Sequence, residues 1–259
     1  MNDETVLDAA HRAMAAAPED GAARLAFYAR LAEAELFLLL EAEPAGDEIA
    51  PQVFALEDGP VVLVFDAEER LSAFTGAPAP YAALPGRDLA AMLAGQGLGL
   101  GVNLGQDAAI LLPSGAVDWL AGLLAARPEA VEARPEELRP PSDVPEQVLR
   151  ALDARLARAG GLARHAWLAG VIYPGGRAGH MLAFVDAAPG AEAVLSRAVG
   201  EALGFSGAET GALDVAFIGP DDPLAGPLGR VGLRFDLPEP ERPEALVVDR
   251  DPDAPPRLR

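Results

Sequence analysis

Between Gly97 and Val102 glycine alternates with apolar residues, Gly-Leu-Gly-Leu-Gly-Val, so a strand here has one face with no side chains at all. Such a face requires something to pack closely against it, most simply a neighbouring helix. The surrounding stretch, Tyr81 to Leu120, reads as a strand, a Pro85-Gly86 turn and a helix with Leu89, Met92 and Leu93 inward. The glycine-rich strand follows, then an Asn103-Leu104-Gly105 turn, an apolar strand from Ala108 to Leu112, and a helix opened by Pro113-Ser114-Gly115. Asn and Gly tolerate the positive φ that the turn requires. The glycines do not form a dinucleotide loop. In the spacing G-x-G-x-x-G, Gly97 and Gly99 would need glycine at Val102, and Gly99 and Gly101 would need it at Leu104. A phosphate loop is excluded because the chain contains no lysine.

Upstream, Thr5–Ala17 has helical periodicity stopped by Pro18, and Asp20 caps a second helix with Leu25, Tyr28 and Leu31 on one face. Glu35–Leu40 is a continuous apolar run, as expected of a strand covered on both faces. Gln52–Leu56 and Pro60–Phe65 are joined by Glu57-Asp58-Gly59, a strong hairpin signal. Asp66 is then placed to cap a helix that ends at Gly76. From Arg127 to Pro145 the composition shifts to Pro, Glu and Arg, which marks a linker. Beyond it, a helix with Val148, Leu149, Leu152 and Leu156 precedes a hairpin, Ala163–Tyr173 with Gly179–Val185. A helix from Ala191 to Leu203 and strands Leu213–Ile218 and Arg230–Phe235 complete an αββαββ order. The expected organisation is therefore α+β: two α/β-type domains, 1–126 and 146–237, with mixed or antiparallel sheets packed by helices, a Pro-rich linker at 127–145 and a tail at 238–259.

Composition narrows the partners. Twenty basic residues, all Arg, stand against forty acidic ones, and the net charge of −20 repels phosphate backbones and anionic lipid. Nucleic acid and membrane are not expected partners. With no cysteine there is no disulfide, thiolate nucleophile or thiolate metal site. The acidic N-terminus lacks the basic and apolar regions of a signal peptide, and no apolar run is long enough to span a bilayer, so a cytoplasmic location is expected.

Candidate chemistry is sparse. His11, His165 and His180 have no His or Cys at ligand spacing, so neither a metal nor a cofactor is expected. His165 and His180 lie on facing strands of the second hairpin. They either satisfy local hydrogen bonds or share a polar site with Arg177 at an interdomain cleft. Gly204-Phe205-Ser206-Gly207-Ala208 resembles a nucleophile elbow but follows a helix and lacks the last glycine, which makes it a helix-ending turn. Acidic pairs such as Asp47-Glu48 and Asp221-Asp222 sit beside turns, where carboxylates cap and solvate. Trp119 and Trp167 read as core residues. Exposed turns on a rigid frame are where binding residues tend to lie, and the segment from Asn103 through Gly105 to Gln106, together with Pro113, is the candidate binding surface.

Three segments carry a family resemblance: FYARLAEAELFLLL, VFALEDGPVVLVFDAEERLSAF and LPGRDLAAMLAGQGLGLGVNLGQDAAILLPSGAVDWL. Their order of elements resembles the N-terminal domain of the SseB family, the enhanced serine sensitivity proteins, with Leu104 where that family commonly has proline. The hairpin WLAGVIYPGG…HMLAFVD is similar to the family's C-terminal domain. The resemblance implies a bacterial cytoplasmic protein without established enzymatic activity, linked to serine tolerance and to protein partners of the sulfurtransferase type. Two further readings stand beside it: a small-ligand binder or enzyme for amino-acid or sulfur metabolites at an interdomain cleft, and an immunity-like acidic protein that binds a basic partner. Oligomeric state is not specified by the sequence.

Overall fold

A computed structural model describes residues 4–44, 49–126, 134–208 and 213–239. The tail beyond 239, Pro128 of the expected linker and the Asp47-Glu48 pair lie outside these residues. The fold is α+β, with two sheets each packed by helices. Helices α1 (Val6–Ala16) and α2 (Gly21–Glu33) come first, each with the side-chain cap that its sequence supplies, Thr5 and Asp20. Strands β1 (Glu35–Leu39), β2 (Val53–Leu56) and β3 (Gly59–Phe65) are followed by α3 (Glu68–Thr75), β4 (Tyr81–Pro85), α4 (Gly86–Leu93), β5 (Gly99–Val102), β6 (Ile110–Leu112) and α5 (Ser114–Ala125). The sheet order is β4-β1-β3-β5-β6, with β2 beside β3. Its β3–β5 pair is parallel and the others are antiparallel.

The apolar run of β1 is covered on both faces. Leu36 and Leu38 join Val62, Val64, Leu100 and Val102 beneath α1, α2, α4 and α5. Leu39 joins Val61, Leu63 and Phe65 against Leu71 of α3. Asp66 does not cap α3: the capping position is Ala67, which offers no side-chain bond. The carboxylate of Asp66 is instead held by Arg70 one turn further on, at 3.0 Å, and by the Thr5 hydroxyl at 2.5 Å.

In the second half, β7 (Glu137–Arg139) precedes α6 (Glu146–Leu156), β8 (His165–Ile172), β9 (Ala178–Val185), α7 (Glu192–Ser206), β10 (Leu213–Ile218), α8 (Ala225–Val231) and β11 (Leu233–Asp236). The sheet order is β10-β9-β8-β11, with β7 on β8 and a parallel β9–β10 pair. Two of these elements depart from the sequence reading. Residues 137–139, expected as linker, form an edge strand on residues 170–172 of β8, and the Pro-rich segment after β10 contains α8. Burial explains both, since Leu138 and the fully buried Leu228 close the second face of this sheet, over Ala169, Val171 and Met181. The first face is closed by α6 and α7.

Close approach of a helix is enabled at Gly86, not in the glycine-rich strand. A Cβ at Gly86 would lie 1.9 Å from the Leu31 carbonyl oxygen, so α4 starts directly against the backbone of α2. Gly99 and Gly101 instead face away from α4 and α5, and the space over Gly101 is filled by the side chains of Leu63 and Leu104.

These surroundings predict opposite signs for two helical glycines. Gly86→Ala should cost about 3 kcal/mol through overpacking against backbone. Gly122→Ala, where an added Cβ meets nothing within 4 Å, should stabilise by about 0.5–1 kcal/mol. Thermal unfolding of both variants checks this, and equal changes would show that α4 can shift away from α2.

Candidate functional site

The Asn103 turn is internal. Asn103 adopts φ +52° and is 1% exposed. Its Oδ1 accepts the Asp66 backbone N–H at 3.0 Å, and its own N–H donates to the Val64 carbonyl at 2.9 Å. The residue therefore ties the ends of β3 and β5 together, and the expectation that it presents itself to a partner is corrected. Asp66 in turn belongs to a buried cluster in which Arg70 donates to both Asp8 oxygens, at 2.8 and 2.5 Å. The hydrogen bond from Arg70 holds the Asp8 carboxyl below its usual range, against the opposing effect of burial. Gly105, at φ +87°, is exposed, Gln106 is half-buried, and Pro113 is exposed at the start of α5.

The residues expected to converge on a cleft do not meet. In the β8–β9 ladder His165 pairs with Val185 and His180 with Gly170. This separates the two imidazoles by about 17 Å along the ladder. Residues 165 and 170 also fall on opposite faces, because side chains alternate. His165 lies edge-on to Trp167, and burial, then the charges of Arg234 and Arg164, keeps it below the usual histidine range. His180 Nε2 lies 2.8 Å from the Ser142 carbonyl, to which it can donate. Arg177 pairs with buried Asp214 at 3.0 Å and covers the Tyr173 ring at 4.3 Å. Burial, with the Asp214 carboxylate, raises the Tyr173 phenol. His180 and Arg177 have local partners, whereas the buried Nδ1 of His165 has none among the described residues. Gly207 ends α7 in the left-handed conformation and Ser206 bonds to its own helix, as the turn reading expects. Trp119, expected in the core, is 42% exposed, with Tyr28 edge-on to it at 5.1 Å.

Two concavities stand out among the described residues. One lies on the α3 side of the first sheet, a hollow of about 290 Å³ bordered by Gly97 and Gly99. Leu56, Gly59, Val61, Gly99 and Leu111 share this face, with Asp58 at one end and Pro113 at the other. Leu56 and Leu111 are 43% and 51% exposed, and β6 is the terminal strand of the sheet path. Pro113 is thus an expected binding residue that borders a cavity.

The other concavity lies between the domains. Helices α2, α6 and α7 enclose about 270 Å³, lined by Arg30, Glu33, Arg155, Arg158 and Glu201 over alanine walls. Arg155 bridges Glu33 of α2 and Glu201 of α7, Arg87 of α4 reaches Glu201 at 2.9 Å, and Arg30 and Arg158 bond Glu33 at 3.1 and 2.6 Å. Burial works to raise the Glu33 carboxyl, but the hydrogen bond from Arg158 and the charges of Arg155, Arg158 and Arg30 outweigh it and hold it low. Arg155 is shifted down by burial, with the charges of Arg87 and Arg158 adding to the shift. None of these residues stands out in the sequence. The available signal is Arg-Glu and Arg-Arg spacing of three on α2 and across the end of α6, beside alanines at the same spacing. Among the described residues no group of three or more His, Cys, Asp or Glu could hold a metal, and no helix is long and apolar enough to cross a membrane.

Residues 7–119 match the family model of the SseB protein N-terminal domain. No curated protein and no solved structure matches the chain.

The buried cluster around Arg70 makes a pH-dependent prediction. Asp8→Asn leaves Arg70 short of one carboxylate and should cost about 3 kcal/mol at pH 7. Because the folded pKa of Asp8 is depressed, its contribution is present above the unfolded value near 3.9 and is lost as pH falls through the folded value. The gap between wild type and variant should therefore shrink below about pH 4. Urea unfolding across pH measures it, and a gap independent of pH would remove the charge from the explanation.

Proposed function

We propose, from the match of residues 7–119 to the SseB protein N-terminal domain, that the chain is a non-enzymatic interaction and regulatory protein of the SseB family, acting in the cytoplasm. Its role is in serine sensitivity, and it acts by holding a protein partner against the hollow beside Gly99 and Pro113. The observation that carries this reading is the pairing of an apolar cavity with a terminal strand. Leu56 and Leu111 stand exposed on a rigid sheet, the cavity between them is bordered by Gly97 and Gly99, and β6 offers its outer edge beside it. An extended segment can add to such an edge through main-chain hydrogen bonds while placing an apolar side chain in the adjoining pocket. Asp58 at the rim and the net charge of −20 favour a partner whose apolar anchor is flanked by basic residues. The family resemblance points to a sulfurtransferase-type enzyme as the first partner to test.

Introducing a charge into the hollow separates this reading from a purely structural one. Leu111→Glu should weaken capture of the partner by about tenfold or more, since a carboxylate would be buried unpaired in the complex. Leu233→Glu, an equally exposed position on β11 of the other domain, should leave capture intact. The measurement is retention from native lysate, and of a purified sulfurtransferase, on immobilised wild-type and variant proteins with matched thermal stability. If the folded wild-type protein retains nothing above background, or if both variants behave alike, the hollow is not a partner site.

A further inference from the structure

We propose that Tyr173 and Asp214, beneath the β8–β9 turn, form a site for an alkylguanidinium cation, and that Arg177 is the resident cation which such a ligand displaces. The site lies in the second domain and does not rest on the partner reading of the hollow beside Gly99. It begins with a carboxylate in an apolar face. Asp214 is opposite Met181 in the β9–β10 ladder, so it joins the face of the second sheet that carries Ala169, Val171 and Met181. It is 5% exposed. A carboxylate among apolar side chains is unfavourable unless hydrogen bonds replace its water, and an apolar side chain of similar volume would serve the sheet at least as well. Packing therefore does not account for Asp214.

The hydrogen bonding of this pair is incomplete. A carboxylate offers about four lone-pair positions. Among the described residues Asp214 receives one bond, from Arg177 Nη2 to Oδ2 at 3.0 Å. The hydroxyl of Tyr173, a residue 3% exposed, has no hydrogen-bond partner among them. It nevertheless lies near enough to Asp214 for the carboxylate to raise the phenol. Two buried polar groups thus stand side by side with acceptor positions for further N–H donors.

Arg177 identifies the chemistry that fits them. Its guanidinium carbon sits 4.3 Å from the centre of the Tyr173 ring while its Nη2 reaches Asp214, and an aromatic face beside a carboxylate is the combination that recognises a guanidinium. The chain limits how well Arg177 can use it. Tethered to the turn, it places a single nitrogen on a single carboxylate oxygen. Its side chain is 50% exposed and follows the exposed Pro174-Gly175-Gly176 segment, so its head can turn out into water. An untethered guanidinium can lay two parallel N–H groups on the Asp214 carboxylate and a third on the phenol oxygen, over the same ring face. The net charge of −20 draws cations toward the surface and favours such a ligand. The recognised group is the guanidinium on an alkyl stem, whether it is a free small molecule or the arginine side chain of a protein.

Titration of the full chain with methylguanidinium, followed by NMR at the Arg177 Nε–Hε resonance, tests the assignment, with methylurea at equal ionic strength as the neutral isostere. In wild type that resonance should shift saturably with methylguanidinium and not with methylurea. Asp214→Asn should weaken binding by about tenfold or more, as expected for loss of a charge-assisted pair, and Tyr173→Phe by about threefold or more. Tyr173→Phe removes no partnered group, so it keeps the test decisive if Asp214→Asn does not fold. Arg177→Ala, measured by isothermal titration, should bind about tenfold or more tighter than wild type, because the resident cation no longer competes. Arg234→Ala, which removes the partner of Asp236 on β11, should bind as wild type. Leu111→Glu should also do so, which keeps this result separate from the partner-binding test. A blocked Gly-Arg-Gly tripeptide distinguishes the sources: binding at least as tight as that of methylguanidinium assigns the site to a protein side chain, and weaker binding assigns it to a free cation. The proposal is overturned by absence of a saturable shift up to about 10 mM methylguanidinium, where a millimolar site would be filled, by unchanged affinity in Tyr173→Phe and folded Asp214→Asn, or by an equal response to methylurea.

Discussion

Glu201 is the charge on which the joint between the two domains depends. Its side chain is 3% exposed, and removing a carboxylate from water costs several kcal/mol unless cations and hydrogen bonds replace the solvent. Here the replacements come from both sides of the joint: Arg87 belongs to the first domain and Arg155 to the second, and Arg155 also holds Glu33 of the first. Separating the domains would break the Arg87–Glu201, Arg155–Glu33 and Arg158–Glu33 pairs together. The apolar part of the joint is arranged around this network. The helix that carries Glu201 lies against α2 and α5, and Gly204 brings it so close that a Cβ there would sit 2.9 Å from Leu123. The alanine-lined cavity lies beside this network, and Phe205 of the same helix packs against the core of the first domain.

Much of the first domain was legible because its signals are local. The cap at Asp20 and the apolar spacing after it specify α2 without reference to the rest of the chain, and Glu57-Asp58-Gly59 specifies the β2–β3 hairpin in the same way. The elements that escaped were those decided by tertiary burial. Residues 225–231 contain two glycines and a proline, a composition that argues against a helix, yet Leu228 is fully buried beneath them and its packing outweighs propensity. Residues 137–139 lie between prolines, and an edge position tolerates such neighbours because only one side of the strand is paired. The candidate sites divide along the same line. Pro113 was readable as a helix start on an exposed turn. The arginines of the cleft come from α2, α4, α6 and the turn after α6, and only folding brings their charges together.

The glycine-rich strand shows how a correct local reading can carry a wrong neighbour. The bare face was evident from the alternation, but a helix was not what filled it. Leu63 reaches across from β3 and Leu104 folds back from the turn, so Gly101 is used by side chains of its own sheet layer. Leu104 therefore holds a packing position under Asn103. Gly99, two residues earlier, lets β6 approach instead: a Cβ there would lie 2.6 Å from the Leu112 carbonyl oxygen, and the residue borders the hollow.

This difference along one strand explains where the first domain can bind anything. In sheets with parallel strands, ligands ordinarily lie beyond the carboxyl ends, where the connections diverge. That position, after Phe65 and Val102, is already occupied. Asp8 from α1 supplies a carboxylate to Arg70, Asp66 supplies a second, Thr5 bonds Asp66, and Asn103 closes the strand ends. The chain has in effect filled its own crevice with an internal carboxylate, and the hydrogen bond that holds Asp8 ionised keeps it filled at neutral pH. What stays accessible is the opposite end of the same two strands, Gly59–Val61 and Gly97–Gly99, where no polar cluster intervenes and the surface is apolar.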